Sequence, residues 1–253
     1  MVKVRYALLI MAVMWLTSGG SAFAGRVLTV AGDPWGPYLD PGHHKLGLSA
    51  ELVREAFRTQ GYQVEFKIID WLKAQEMASR GEVILMNAWY TPDRASAFFV
   101  SDPYLRSRVV FLARRGSGFK YRGIESLKGL RVGRIRGYAY DPEFIKSKVY
   151  ILYDGVSFID LARKVATGRI DLVPEDQLVA LWELKKKEPL LLDKLQVVEG
   201  PLKETTVHLM ASRAMPDGEE TIRAFNRGLK ELKRSGQYRA ILAAYGASSV
   251  EVR

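Results

Sequence analysis

The sequence alternates short apolar runs with amphipathic segments, and this alternation constrains the fold more than any other feature. Apolar runs such as Val27–Ala31 and Val83–Met86 are typical of buried strands. Between such runs lie segments with apolar residues at helical spacing, for example Leu48–Gln60 and Phe158–Ala166. Strands that alternate with helices predict an α/β fold in which helices flank a parallel or mixed sheet.

The alternation stops and starts again, which predicts two lobes. A polar stretch at 114–118 follows the predicted strand Ser107–Ala113, and a second break at 199–203 separates the predicted strands Leu195–Val198 and Thr205–Ala211. We therefore expect the chain to pass between the lobes twice. The predicted division puts residues 25–113 and 203–253 in the first lobe and residues 114–202 in the second. Ligands of such folds bind at the carboxyl ends of strands, in a cleft between the lobes.

The first 24 residues have the three regions of a secretory signal peptide. Lys3 and Arg5 supply positive charge, Ala7–Thr17 is uncharged and mostly apolar, and Ala22–Ala24 has the small residues of a cleavage site. The apolar run is too short to span a bilayer comfortably, and no cysteine follows it to carry a lipid. We therefore expect residues 1–24 to be removed on export and the mature protein to be periplasmic, without a lipid anchor.

Composition excludes several kinds of site. The chain has 253 residues, no cysteine and three histidines, which excludes disulfides, cysteine-ligated metals and thiol catalysis and argues against a histidine-rich metal site. The formal charge of +10 is of the kind found in proteins that bind nucleic acid. Removal of Lys3 and Arg5 with the leader lowers it to +8, and nucleic acid is scarce in the periplasm. We therefore expect no nucleic-acid partner, no metal and no cofactor.

Seven short motifs, in order along the mature chain, carry a family resemblance. They are Val27–Tyr38, Gly47–Leu52, Trp71 with Gly81, Thr91–Arg94 with Phe99–Tyr104, Leu127–Gly133, Gly168–Asp171 with Glu175 and Asp176, and Asn226–Gly246. Together they resemble the bacterial extracellular solute-binding proteins of family 3, the amino-acid type of periplasmic binding protein. The resemblance implies a two-lobed type II fold and a monomer that captures a small amino acid or amino-acid-like zwitterion for an ABC-type permease complex in the membrane.

The resemblance also assigns both ends of the ligand. It places Arg94 at the ligand's carboxylate, and Thr91 suits the N-cap of a short helix that would hold this guanidinium in place. It places Asp176 at the ligand's ammonium, with Glu175 as the alternative. Gly137 follows a predicted strand and precedes a predicted helix, so backbone N–H groups near it would receive the carboxylate as well.

Aromatic residues are frequent near the predicted cleft. Their rings suit stacking on a ligand side chain or cation–π contact with an amine. Six are candidates, of which we expect about half to touch the ligand: Trp35, Tyr38, Trp71, Trp89, Tyr90 and Tyr138. Several sites depart from the family pattern, since Trp89 and Tyr90 stand where small polar residues are common, and Tyr138 and Ala139 stand after the second-lobe glycine, where hydroxyl residues are common. These departures affect the identity of the ligand more than the fold.

Two alternative functions share the scaffold. Some proteins that resemble this chain are periplasmic dehydratases of cyclohexadienyl acids, for which Glu51, Glu175 or Asp176 would supply the acid. We expect a binding protein and not an enzyme, because the sequence shows no nucleophile–base pair and no metal motif. A ligand-sensing subunit of a membrane receptor is the other alternative, and it would require a partner that supplies the signalling domain.

Overall fold

The computed structural model describes residues 26–252, so the predicted signal peptide lies outside the described residues. The strands are β1 (Val27–Gly32), β2 (Gln63–Ile68), β3 (Ile84–Trp89), β4 (Phe98–Val100), β5 (Leu105–Arg114), β6 (Arg131–Ile135), β7 (Ile151–Gly155), β8 (Leu172–Asp176) and β9 (Leu195–Ser212). The helices are α1 (Leu48–Thr59), α2 (Trp71–Ser79), α3 (Pro92–Ala97), α4 (Pro142–Lys146), α5 (Phe158–Ala166), α6 (Gln177–Lys187), α7 (Pro189–Leu192), α8 (Gly218–Ser235) and α9 (Gln237–Ala244). Within residues 26–252, no helix combines the length and apolarity that crossing a membrane requires.

The strands form one mixed sheet with two parallel parts. Its order is β2-β1-β3-β9-β5-β8-β6-β7, and β4 also pairs with β9. Strand β1 runs parallel to β2 and β3, and β6 runs parallel to β7 and β8. Between these parts, β5 and β9 run antiparallel to each other. Strand β9 also pairs antiparallel with β3, and β5 pairs antiparallel with β8. This topology confirms the α/β class and the two lobes, which the pair β5 and β9 joins.

The predicted break at 199–203 is wrong, because β9 runs unbroken through it. Gly200 has a φ of 88°, and Pro201 pairs with Val110 of β5 where the register between the two strands shifts. A bulge of this kind accommodates a proline, which has no N–H to donate to the ladder. The lobe boundaries at 113/114 and 202/203 stay predictions, and the second of them falls inside β9.

Most helices form where local signals predicted them. Asp70 caps α2 by accepting a hydrogen bond from the N–H of Lys73, and Ser157 caps α5 by accepting one from the N–H of Asp160. Gly236 ends α8 in the left-handed conformation, at a φ of 79°. Two short elements that the sequence did not predict are β4 and α7, since neither is long enough to show a clear period.

One large cluster of buried apolar residues extends through both lobes, since it contains Leu52 and Phe225 as well as Phe144 and Leu172. In the first lobe α1 crosses α8 so closely that a Cβ at Gly228 would lie 1.9 Å from the carbonyl oxygen of Ala56, which only glycine permits. In the second lobe Leu161 and Val165 of α5 pack against the strands, together with Leu184 of α6. Side chains of both lobes also meet at the cleft, where the rings of Trp71 and Tyr138 lie edge to face.

Candidate functional site

Two connected cavities lie where the lobes meet. The inner cavity has a volume of about 20 Å³ and is lined by Asp33, Trp35, Trp71, Asn87, Trp89, Arg94, Tyr138 and Ala139. The outer cleft has a volume of about 350 Å³ and shares Asp33, Trp35, Trp71 and Tyr138 with it. The inner cavity is far smaller than typical ligand pockets, so a ligand enters it only when the side chains around it move apart.

Arg94 lies at the inner cavity, on the short helix that the sequence predicted. The hydroxyl of Thr91 accepts a hydrogen bond from the backbone N–H of Arg94 at 3.1 Å and so caps α3. The guanidinium donates to the carbonyl oxygen of Trp89 at 2.9 Å and to Oε1 of Gln75 at 3.0 Å, and it lies 5.5 Å from the ring centroid of Trp71. No carboxylate of residues 26–252 pairs with it, and burial lowers the pKa of Arg94 to about 10. The inner cavity therefore contains a cation without an anionic partner from the described chain.

Gly137 contributes a carbonyl oxygen to the site. This oxygen accepts a hydrogen bond from Nε1 of Trp71 at 3.0 Å, and Nη2 of Arg94 lies 3.5 Å from it. We expected an N–H donor here, whereas the structure turns an acceptor toward Arg94. The φ of Gly137 is 82°, and a Cβ there would lie 2.5 Å from Cδ2 of Leu72. The loop after β6 therefore approaches the first lobe as closely as glycine allows.

Four of the six aromatic candidates line the inner cavity, namely Trp35, Trp71, Trp89 and Tyr138. The rings of Trp89 and Tyr138 meet edge to face, with centroids 5.2 Å apart. Tyr38 is fully buried behind Trp35, at 4.7 Å between centroids. Tyr90 is 45% exposed, beside His208 and away from the inner cavity. The cavity walls are therefore mostly aromatic, and Tyr90 does not contribute to them.

Asp176 lies away from the two cavities. Its Oδ1 accepts hydrogen bonds from the backbone N–H groups of Leu178 and Val179, at 2.9 and 3.1 Å, and so caps α6. Its Oδ2 accepts one from the Ser107 hydroxyl at 2.6 Å. Burial raises the pKa of Asp176 to about 6. The oxygens that we expected to hold a ligand's ammonium are thus engaged within the protein.

Glu175, the alternative to Asp176, faces the outer cleft. Its Oε1 accepts hydrogen bonds from Nε1 of Trp35 at 3.3 Å and from the backbone N–H of Asp176 at 2.8 Å, whereas its Oε2 is buried without a partner. Burial raises the pKa of the Glu175 carboxyl well above its ordinary value.

Asp33 lines both cavities, and burial raises its pKa to about 7. Both carboxyl groups would gain from a cation placed beside them.

Asn87 is a site residue that the sequence did not predict. Its Nδ2 and the Nε1 of Trp89 are buried without an acceptor, and both residues line the inner cavity. With Oε2 of Glu175 they make up three of the four buried side-chain polar atoms without a partner in residues 26–252. The signal in the sequence was a polar residue inside the apolar run of β3. Unpaired polar atoms are rare in folded proteins, and here they cluster at the cleft.

Comparisons with known proteins agree with this architecture. The sequence profile of the bacterial extracellular solute-binding proteins, family 3, matches residues 27–248. The chain is 25% identical over 240 residues to a probable histidine-binding protein of Neisseria gonorrhoeae, and the match covers 90% of this chain and 85% of that protein.

Two solved structures show the same fold. A histidine kinase sensor domain with similarity to periplasmic binding proteins has a TM-score of 0.77 at 24% identity and covers 90% of this chain and 99% of its own. The amino acid ABC transporter substrate-binding protein AbpA of Streptococcus pneumoniae, bound to L-arginine, has a TM-score of 0.73 at 17% identity and covers 89% and 97%. Because the family profile matches almost all of the described residues, this chain belongs to the bacterial extracellular solute-binding proteins of family 3.

Proposed function

We propose that this solute-binding protein captures a small amino acid or amino-acid-like zwitterion in the inner cavity and delivers it to an ABC-type permease. The observation that carries the proposal is the buried guanidinium of Arg94, which has no carboxylate partner in residues 26–252. A guanidinium in this position favours an anionic ligand, and its planar fork matches the two oxygens of a carboxylate.

The ammonium of the ligand would bind at Glu175 and Asp33. Both carboxyl groups line the outer cleft, Asp33 also lines the inner cavity, and one oxygen of Glu175 is without a partner. In the free protein, burial raises the pKa of both carboxyl groups and so favours their protonated forms. An ammonium beside them would stabilise the charged carboxylates, so ligand binding would release protons. Asp176 is a poorer candidate, because its oxygens already accept hydrogen bonds from α6 and from Ser107.

The aromatic walls would hold the body of the ligand. Trp35, Trp71 and Trp89 supply apolar surface around the charged ends. Charged hydrogen bonds contribute roughly 1.5–3 kcal/mol each, and micromolar affinity corresponds to about 8 kcal/mol. Three or four such bonds with apolar contact are therefore sufficient, and the proposal requires no metal.

A thermal-shift screen of residues 25–253 against amino acids and small carboxylates tests the proposal. A ligand present at a hundredfold excess over its Kd should raise the free energy of unfolding by about 2.7 kcal/mol. Calorimetry then gives the affinity, and quenching of the cavity tryptophans reports occupancy independently. The proposal fails if no compound of the panel shifts the melting temperature or binds in the calorimeter.

Two experiments separate the proposed function from the dehydratase and the receptor-subunit alternatives. A binding protein leaves prephenate and arogenate unchanged, whereas a cyclohexadienyl dehydratase would release an aromatic product. Crosslinking in the membrane fraction distinguishes a permease partner from a receptor. We also propose that the leader is cleaved before Gly25 and that the mature protein is a periplasmic monomer, which mass spectrometry of the exported protein and light scattering test directly.

A further inference from the structure

Asn87 presents a hydrogen-bond donor to the inner cavity because Tyr104 fixes the orientation of its amide. The backbone N–H of Asn87 donates to the Tyr104 hydroxyl at 3.0 Å, and that hydroxyl donates in turn to Oδ1 of Asn87 at 2.8 Å. Tyr104 is fully buried, so this pair of bonds is shielded from water. With its oxygen engaged, the amide has its Nδ2 free for the cavity, where no acceptor of the described chain meets it.

The indole N–H of Trp89 is a second donor two residues along the same strand. The ring is buried between Trp35 and Tyr138, and its Nε1 has no partner within residues 26–252. The pairing of β3 with β9 shifts register between Leu85 and Ala88, and Asn87 has a φ of 56°. Irregularities of this kind re-aim side chains next to binding sites. Both donors line the inner cavity with Arg94.

The donors around the cavity outnumber the acceptor positions of one carboxylate. Arg94 has five N–H groups. Two of them donate to oxygens of Trp89 and Gln75, and Nη2 also lies 3.5 Å from the oxygen of Gly137, a contact that a bound carboxylate would replace. The three N–H groups left for a ligand, together with two on Asn87 and one on Trp89, make six donors, whereas a carboxylate offers about four lone-pair positions. A buried donor without an acceptor is unfavourable, so an occupant with a further acceptor is favoured.

We infer that Asn87 and Trp89 form a donor pair that selects ligands with a second oxygen acceptor, a side-chain carboxamide or carboxylate, beyond the carboxylate at Arg94. This inference rests on the proposed function, because it assumes that the α-carboxylate of an amino acid binds at Arg94. An apolar side chain would leave both donors unpaired. A side chain that ends in donors alone, such as that of lysine, would place donor against donor.

Calorimetry with near-isosteric ligand pairs tests the selection. Asparagine against leucine, and glutamine against methionine, differ mainly in the acceptor. We expect the carboxamide of at least one pair to bind about 100-fold more tightly, because sites that hydrogen-bond a polar group reject the analogue without it. Equal affinities within both pairs would overturn the inference while leaving the proposed function intact. If none of the four amino acids binds and the wider screen also fails, the proposed function fails instead.

Two variants connect the selection to the donor pair. Asn87→Asp keeps a residue type that tolerates a positive φ and an oxygen for Tyr104, but it replaces the free donor with an acceptor. Trp89→Phe removes the indole N–H and keeps an aromatic ring. Each should weaken binding of the preferred carboxamide at least about tenfold more than binding of its apolar partner, so the ratio of the two affinities reports the lost donor. Tyr153→Phe, a substitution of an exposed ring on β7 that lines neither cavity, should change neither.

Fold and alternative outcomes are checked in the same experiment. Near-ultraviolet circular dichroism and the melting temperature establish that each variant is folded. If Trp89→Phe and Asn87→Asp weaken every amino acid by the same factor, the two donors bind the α-carboxylate together with Arg94. That result would overturn the inference. Loss confined to ligands with a side-chain acceptor supports it.

Discussion

Nε1 of Trp71 donates a 3.0 Å hydrogen bond to the carbonyl oxygen of Gly137, and this bond joins the two lobes across the cleft. Nη2 of Arg94 lies 3.5 Å from the same oxygen. The guanidinium of Arg94, which we propose binds the ligand's carboxylate, therefore also contacts a carbonyl oxygen of the second lobe. A ligand that binds at Arg94 competes with this contact between the lobes. Ligand binding should therefore change how closely the two lobes approach each other.

Trp71→Phe should weaken ligand binding by about two- to tenfold, because it removes one interlobe hydrogen bond worth roughly 0.5–1.5 kcal/mol. The ring and its place in the cavity wall are kept. Calorimetry measures the affinity, and small-angle scattering of the ligand-free protein should show a larger radius of gyration. Tyr153→Phe, on an exposed ring of β7, serves as the control. Unchanged affinity together with an unchanged radius would show that the bond does not stabilise closure.

Arg94→Lys should reduce the affinity for the ligand at least about 100-fold. Lysine keeps the charge but cannot donate two parallel hydrogen bonds to a carboxylate, and each charged bond is worth roughly 1.5–3 kcal/mol. Arg223→Lys is the control, since Arg223 is exposed on α8 and pairs with Glu219. Titration calorimetry measures the Kd of both variants for the ligand. A Kd for Arg94→Lys within threefold of the parent value would remove Arg94 from the proposed site.

Of two substitutions on neighbouring residues, Glu175→Gln should weaken binding, whereas Asp176→Asn should leave it nearly unchanged. Glutamine keeps the Oε1 acceptor for Trp35 but removes the negative charge, so we expect a loss of affinity of about tenfold or more for a ligand with an ammonium. Asparagine retains the cap of α6, so Asp176→Asn should bind within about twofold of the parent. The reverse pattern, with the larger loss in Asp176→Asn, would restore Asp176 as the ammonium site.

The contribution of Asp33 to the stability of the ligand-free protein should fall as the pH rises from about 4 to about 7. Burial raises the pKa of Asp33 from 3.8 to about 7. An acid with a higher pKa in the folded state holds a proton that the unfolded chain has released, so the free energy of unfolding decreases over this range. Asp33→Asn should flatten that decrease by about 1–2 kcal/mol after solvent screening.

Urea unfolding at pH 4, 5.5 and 7 measures this effect. The comparison is the slope of the free energy of unfolding against pH in Asp33→Asn and in the parent protein. Asp93→Asn is the matched control, because Asp93 lies in the first turn of α3 and lines neither cavity. Parallel slopes in parent and Asp33→Asn would mean that Asp33 titrates near its ordinary pKa in the folded protein.

The elements of the fold follow from the sequence wherever their signals are local. The predicted helical segments Leu48–Gln60 and Phe158–Ala166 form as α1, which ends one residue earlier at Thr59, and as α5, because each shows a helical period. The Gly200–Pro201 pair is a local signal for a break as well. There the pairing of β9 with β5, a contact between distant parts of the chain, outweighs it.

The site was only partly predictable for a similar reason. Arg94 follows from a local cap and from the family motif. Which of Glu175 and Asp176 faces the cleft depends on the pairing of β8 with β5, where Val110 lies opposite Glu175 and Val109 opposite Asp176. Adjacent strand residues point to opposite sides, and sequence alone does not fix that side.

The junction of the lobes also has a mechanical consequence. Both passages between the lobes are strands, β5 and β9, which are hydrogen-bonded to each other from Leu105 to Arg114. A two-stranded ribbon bends across its face more readily than it stretches or shears in its plane. The ladder is irregular beside Pro201, where its register shifts on both sides of Val110. Lobe opening is thus restricted to few directions, and closing on a ligand loses little conformational entropy.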